Sequence, residues 1–194
     1  MTNTVAWGGN AKNLIIKTSQ NVNVSNSAFI GGKQVGVILQ TVQDVHVDNI
    51  IVAGVERRIT NVNLQTIDKE AGLSFCSFFD GDKCFRSSVT NSRAFGNIYA
   101  GFVAPGHACG ESSTSNIFRD NVSHSNDGSG AHIFPNPAIS TSSTCYEGSN
   151  FSAYSNKDTP ITSMYTSAEN RFSDMTFINS YKGFSANSAG GSGT

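Results

Sequence analysis

Six segments of this chain lie over one another without a gap: Asn26-Ser-Ala-Phe-Ile-Gly-Gly, Asn49-Ile-Ile-Val-Ala-Gly-Val, Asn91-Ser-Arg-Ala-Phe-Gly-Asn, Asn121-Val-Ser-His-Ser-Asn-Asp, Asn150-Phe-Ser-Ala-Tyr-Ser-Asn and Asp174-Met-Thr-Phe-Ile-Asn-Ser. Each opens on Asn or Asp and closes in a Gly, Asn or Ser turn, and successive starts are 23, 42, 30, 29 and 24 residues apart. A unit this short cannot bury an apolar face alone, so repetition at such a period points to stacked coils sharing one core. The first and third positions after the anchor are mostly apolar and read as inward. The second (Ala28, Ile51, Arg93, Ser123, Ser152, Thr176) is more polar and reads as outward. That is the period-two alternation of a strand with one buried face. It places His124 in the inward column, and Asp127 in the turn column beside Asn97 and Asn156. The anchor suits a turn because Asn and Asp tolerate positive φ, and stacked anchors are positioned for side-chain ladders.

A second strand follows at Gly36-Val-Ile-Leu, Gly101-Phe-Val, Gly130-Ala-His-Ile-Phe and Gly183-Phe-Ser; the second and fifth repeats lack this glycine. A third strand precedes the anchor, as in Val22-Asn-Val and Val45-His-Val, and helical periodicity is absent. The expected fold is all-β: a right-handed parallel β-helix, a solenoid of about six coils, in a single domain over 1–186. Residues 61–87 fit no repeat and read as one inserted loop, and 187–194 as a flexible tail or truncated end.

Composition narrows the functions. Charged residues are 14% and the net charge is −1, which gives no basic footprint for nucleic acid. No apolar run reaches the length of a transmembrane helix, and no signal peptide is visible. No motif calls for a cofactor. Four cysteines allow three disulfide connectivities: Cys76 with Cys84 would close a short loop, leaving Cys109 for Cys145, while four reduced thiols are the alternative. The disulfide reading favours an oxidising compartment. Sequons at Asn23, Asn121 and Asn150 are candidate glycosylation sites.

The stretch Gly101-Phe-Val-Ala-Pro-Gly-His-Ala-Cys109, then Asn121-Val-Ser-His-Ser-Asn, then Gly130-Ala-His-Ile-Phe-Pro-Asn resembles the β-helix region of fibrocystin and fibrocystin-L. The resemblance is clearest over 87–156. It implies right-handed β-helix coils in an extracellular, cell-surface or lumenal segment of a large surface protein. Cell-surface hyaluronidases share the architecture more distantly, and none of their catalytic motifs matches residues here.

His107, His124 and His132, with Asp127 between them, are the candidate catalytic or metal-binding cluster. The competing reading makes His124 a hydrogen-bonded interior imidazole and Asp127 a turn former. Asp80 and Asp82, with Asp68 and Glu70 in support, are a weak calcium candidate against the reading of a solvated turn closed by a disulfide. Phe75, Phe78, Phe79 and Phe85 could stack on a glycan or cap a coil end. Carbohydrate-active β-helices need converging carboxylates, and no acidic column runs through the repeats. The leading expectation is therefore a non-enzymatic structural or interaction segment. Its expected partners are other domains of the same protein, further copies stacking on the coil ends, or a glycan. A polysaccharide lyase or glycoside hydrolase is the alternative.

Overall fold

A computed structural model of the chain describes residues 1–56, 71–76, 83–108, 116–135, 145–164 and 169–187. Among them there is no helix, and all strands join one thirteen-stranded sheet. In chain order these are β1 (Val5–Trp7), β2 (Leu14–Ile30), β3 (Val37–Ala53), β4 (Ala71–Phe75), β5 (Ser88–Thr90), β6 (Arg93–Phe95), β7 (Ala100–Ala108), β8 (Ile117–His124), β9 (Ala131–Pro135), β10 (Cys145–Tyr154), β11 (Ile161–Met164), β12 (Glu169–Ile178) and β13 (Ser185–Asn187). Pairing is parallel throughout, except where β10 meets the end of β7 through Tyr146↔Ala108 and Glu147↔His107.

The registers carry each residue onto its equivalent one repeat later. One column runs Val5, Ala28, Ile51, Arg93, Val122, Ser152, Thr176. A second runs Leu14, Val37, Leu73, Phe102, Ala131, Ile161, and a third Val24, Val47, Val89, Phe118. Members of the last two columns are buried, apart from Leu14 at the chain's start. The three columns meet in one core. Phe102 of the second column, Phe118 of the third and Phe151, next to Ser152 of the first, lie with ring centroids 5.3 to 6.3 Å apart, tilted and edge-on as aromatic quadrupoles prefer.

Corners are made by residues in the left-handed region. Positive φ occurs at Asn3, Asn26, Asn49, Asn91, Asp120, Asn150 and Asp174. It recurs five residues later at Gly8, Gly31, Gly54, Gly96, Ser125, Ser155 and Asn179. Gly, Asn and Asp bear this conformation at least cost. A left-handed residue turns the next N–H away from the backbone ladder, and where the following repeat carries Ser or Asn at that position its side-chain oxygen accepts it. Thr4 N–H donates to Ser27 Oγ, Ile50 N–H to Ser92 Oγ, and Ser92 N–H to Asn121 Oδ1. At a preceding corner Val45 N–H donates to Ser87 Oγ, and Ser87 N–H to Asn116 Oδ1. At the following one Val55 N–H reaches Asn97, Asn97 N–H reaches Asn126, and Asn126 N–H reaches Asn156. The buried Ser and Asn side chains thus satisfy backbone donors that would otherwise be orphaned.

The asparagine corner explains a column of small residues. Gly36, Gly72, Gly101 and Gly130 are equivalent positions. A Cβ on Gly72 would stand 2.7 Å from both Asn97 Nδ2 and the Gly101 carbonyl, and one on Gly101 would meet Ser123 Oγ and, at 2.8 Å, the Gly130 carbonyl. Close approach, not φ, demands glycine there.

Three sequence expectations need correction. The fourth repeat is anchored by Asp120, not Asn121: Val122 pairs with Arg93 and Ser152, and Asp120 has the left-handed φ. The residues at 61–87 do not all stand outside the repeat. β4 pairs with β3 and β7, Gly72 fills the glycine column in the second repeat, and Phe85 bridges to Gln43. A seventh equivalent segment, Asn3-Thr-Val-Ala-Trp-Gly8, precedes the six.

Candidate functional site

The one-residue slip at Asp120 moves the residues that mattered most, because a strand shifted by one exchanges its two faces. His124 is not inward. It occupies the fourth position of its segment, an outward one, level with Phe95 and Tyr154. The three rings stack along the direction of the repeat: Phe95 to His124 with centroids 4.8 Å apart and planes at 7°, His124 to Tyr154 at 4.5 Å and 6°. His124 Nδ1 hydrogen-bonds the neighbouring Ser125 hydroxyl at 3.1 Å. Desolvation between the flanking rings, helped by the Arg93 charge, holds its pKa below the ordinary histidine value. The imidazole is therefore neutral near pH 7. Both faces are covered, so a sugar cannot stack on it; only ring edges meet solvent.

His132 is a different case. It lies on β9, buried at 4% exposure, between Val103 and Thr162 in register. Its ring is parallel to Tyr99 at 5.3 Å. Neither Nδ1 nor Nε2 has a hydrogen-bond partner. Burial pushes its pKa down to about 4 against a weaker opposing pull from Asp158, so the ring is neutral and inaccessible to a substrate. His107 lies in β7, where its backbone pairs with Glu147. The structure does not bring His124 and His132 together: His124 stacks on the outside of one strand column and His132 is buried in another.

Asp127 is exposed. It pairs with Lys157 at 2.6 Å, one repeat on, and the next residue, Asp158, pairs with Lys182 at 2.9 Å. Asn126, not Asp127, stands in the turn column with Asn97 and Asn156, buried and donating from Nδ2 to Asn156 Oδ1 at 2.8 Å. Among the described residues no three His, Cys, Asp or Glu side chains come together. The calcium candidates Asp80 and Asp82, with Asp68, Glu70, Phe78 and Phe79, lie outside the described residues, as does Cys109. Of the remaining pair of the aromatic patch, Phe75 is fully buried in the core.

Cys76 and Cys84 form a disulfide with Cα atoms 6.1 Å apart; Cys145 opens β10. The sequons divide. Asn23 and Asn150 are exposed, and Asn150 Nδ2 donates to Asp120 Oδ1 at 2.5 Å. Asn121 is 1% exposed, with its amide donating to the Val89 carbonyl and accepting from Ser92 N–H. A glycan there is incompatible with this fold, which corrects that candidate.

The ends, where the sequence leads one to expect stacking partners, acquire particular side chains. The first and last segments present large apolar side chains to solvent, Trp7 at 78% and Ile178 at 59%. Hydropathy alone does not mark them, because the same column holds Ile30 and Phe95 in covered positions. No family model, no curated protein and no solved structure matches this chain.

Proposed function

We infer that the chain is a right-handed parallel β-helix that serves as a non-catalytic interaction scaffold, a segment of an extracellular or lumenal surface protein. Three strand columns around one phenylalanine core support closure into coils. The hand follows from the strong right-handed preference of parallel crossovers. The Cys76–Cys84 disulfide favours an oxidising compartment, as does the fibrocystin-like stretch over 87–156.

One observation carries the functional reading. Large exposed apolar side chains concentrate on the end segments: Met1, Val5, Trp7 and Ile15 at one, Phe177, Ile178, Tyr181 and Phe184 at the other. Between them only Ile51, Ile117 and Tyr154 appear among the described residues, each at 37%. Contiguous exposed apolar surface marks contact sites, so the binding surfaces are the ends and not a groove along the side. The competing reading, a lyase or glycoside hydrolase, is tested by incubating the chain with uronate polymers and hyaluronan. No unsaturated or reducing ends should appear. Release that disappears on substituting His124 or Asp127 would establish the enzyme instead.

A further inference from the structure

The last segment offers what the first segment accepts. Asp174, in the left-handed conformation of every other anchor, has an exposed carboxylate, and the neighbouring anchors show what such a group does. Asn49 Nδ2 donates back to Asn26 Oδ1 at 2.7 Å, and Asn150 Nδ2 donates back to Asp120 Oδ1. In each pair the donor belongs to the later repeat. At the other end Asn3 is an exposed, left-handed Asn at the equivalent anchor position. Placed one step beyond Asp174, it reproduces the Asn150–Asp120 pair.

The next position repeats the complementarity. At three anchor corners, where the following repeat carries Ser27, Ser92 or Asn121, the N–H after the left-handed residue points onward to that hydroxyl or amide oxygen. The same conformation turns Met175 N–H toward the open side. Thr4 supplies the matching oxygen. Its Oγ1 donates to the Thr2 carbonyl two residues back, as Ser27 Oγ does to Ser25 and Ser92 Oγ to Thr90, so its lone pairs face the side where an earlier repeat would lie. The remaining columns match in size: Phe177 would lie over Ala6 and Ile178 over Trp7, with Phe184 over Leu14. Spacing agrees too. The step from anchor to second strand is 12 residues from Asn3 to Ile15, as from Asn26 to Ile38 and Asn91 to Val103, and 11 from Asp174 to Ser185.

We propose that the end formed by β12 and β13 docks a second copy of this chain through that copy's β1 and the start of β2. The contact is parallel and head to tail, with Asp174 against Asn3 and Met175 N–H against Thr4 Oγ1. It rests on the coil-stack reading and adds the occupant and the register. Because the two surfaces differ, the contact does not close on itself and propagates into a linear array. It also covers two edges that have no strand partner among the described residues, a common route to unwanted pairing.

Sedimentation velocity of the full chain over a concentration series tests this. The weight-average coefficient should rise with concentration, and emission of Trp7, the one tryptophan, should shift to the blue as its ring is covered. Trp7→Lys and Ile178→Lys, each with the far-UV dichroism of the parent, should sediment as monomers. Their equal mixture should form a one-to-one dimer and nothing larger, since each retains one intact end. Thr4→Val, which keeps the shape and removes the acceptor, should weaken association roughly ten-fold; this variant serves if a lysine substitution unfolds the chain. A folded, β-rich wild type that stays monomeric at every concentration overturns the pairing and leaves the coil reading intact. So does a closed dimer that only one lysine variant disrupts. A wild type without a β signature in dichroism overturns the coil reading itself.

Discussion

His132 is the residue with the least support from its surroundings: buried, parallel to Tyr99, and with no partner on either ring nitrogen. Its folded pKa of about 4 lies below the ordinary 6.5, so the unfolded chain binds the extra proton in the window between them. Stability from this group is complete above pH 6.5 and is lost as the pH falls toward 4, by about 3 kcal/mol at one pKa unit per 1.36 kcal/mol. His132→Phe keeps the ring stack and removes the titration. Urea melts between pH 4 and 7 should show a markedly flatter stability profile for that variant than for the parent. Gly101 is constrained by contact, and Gly101→Ala forces its Cβ against Ser123 Oγ and the Gly130 carbonyl. We expect a loss of about 1–3 kcal/mol or more in denaturant unfolding. Neither residue could be singled out from composition. A glycine after a turn is commonplace, and a histidine in an alternating strand does not announce which side it faces.

At the scale of the element, the corner is the unit that makes this fold specific. Asn126 accepts from both the N–H and the Nδ2 of Asn97, and donates to Ser123 Oγ and Asn156. Asn126→Leu fits the volume but strands at least one buried N–H, at about 1–3 kcal/mol for each orphaned group. The midpoint of denaturant unfolding should fall accordingly; an unchanged midpoint would mean that the corner relaxes without it. The same chemistry explains why the fourth repeat was read one residue out. With Asn121 as anchor the inward positions become Val122 and His124, which looks like a core. With Asp120 they become Asn121 and Ser123, which does not. Hydrophobic alternation preferred the wrong frame because this stretch of the interior is polar, satisfied by cross-repeat hydrogen bonds at Asn121 and by the Ser123 bond to the Gly130 carbonyl within the repeat. The true frame carried a subtler mark, Asp120 followed five residues later by Ser125, and Asn121 followed by Asn126 imitates it.

Over the whole molecule, stability is shared between neighbouring repeats and so depends on having neighbours. The middle segments, with Val47, Val52, Leu73 and Phe102 fully buried, are covered on both sides. Among the described residues β12 pairs only with β10, and its inward Phe177 is 38% exposed. Amide exchange should therefore be slowest in β3 and β8 and fastest in β12 and β13, because local opening follows the number of packed neighbours. Raising the protein concentration should slow exchange in β1 and β12 together if the ends dock.

The repeating Asn/Asp anchor, the inward alternation of most segments and the glycine at the second strand were legible in the chain, because each is a local demand of backbone conformation or of one buried face. The Cys76–Cys84 loop was legible from spacing. The frame of the fourth repeat, the membership of β4 and the fate of the histidines were not, since each depends on which residue lies one repeat away. A shift of a single position costs little in local propensity and reverses every face. Only the cross-repeat hydrogen bonds, made between residues 29 or 30 apart in sequence, carry enough free energy to choose between the two frames.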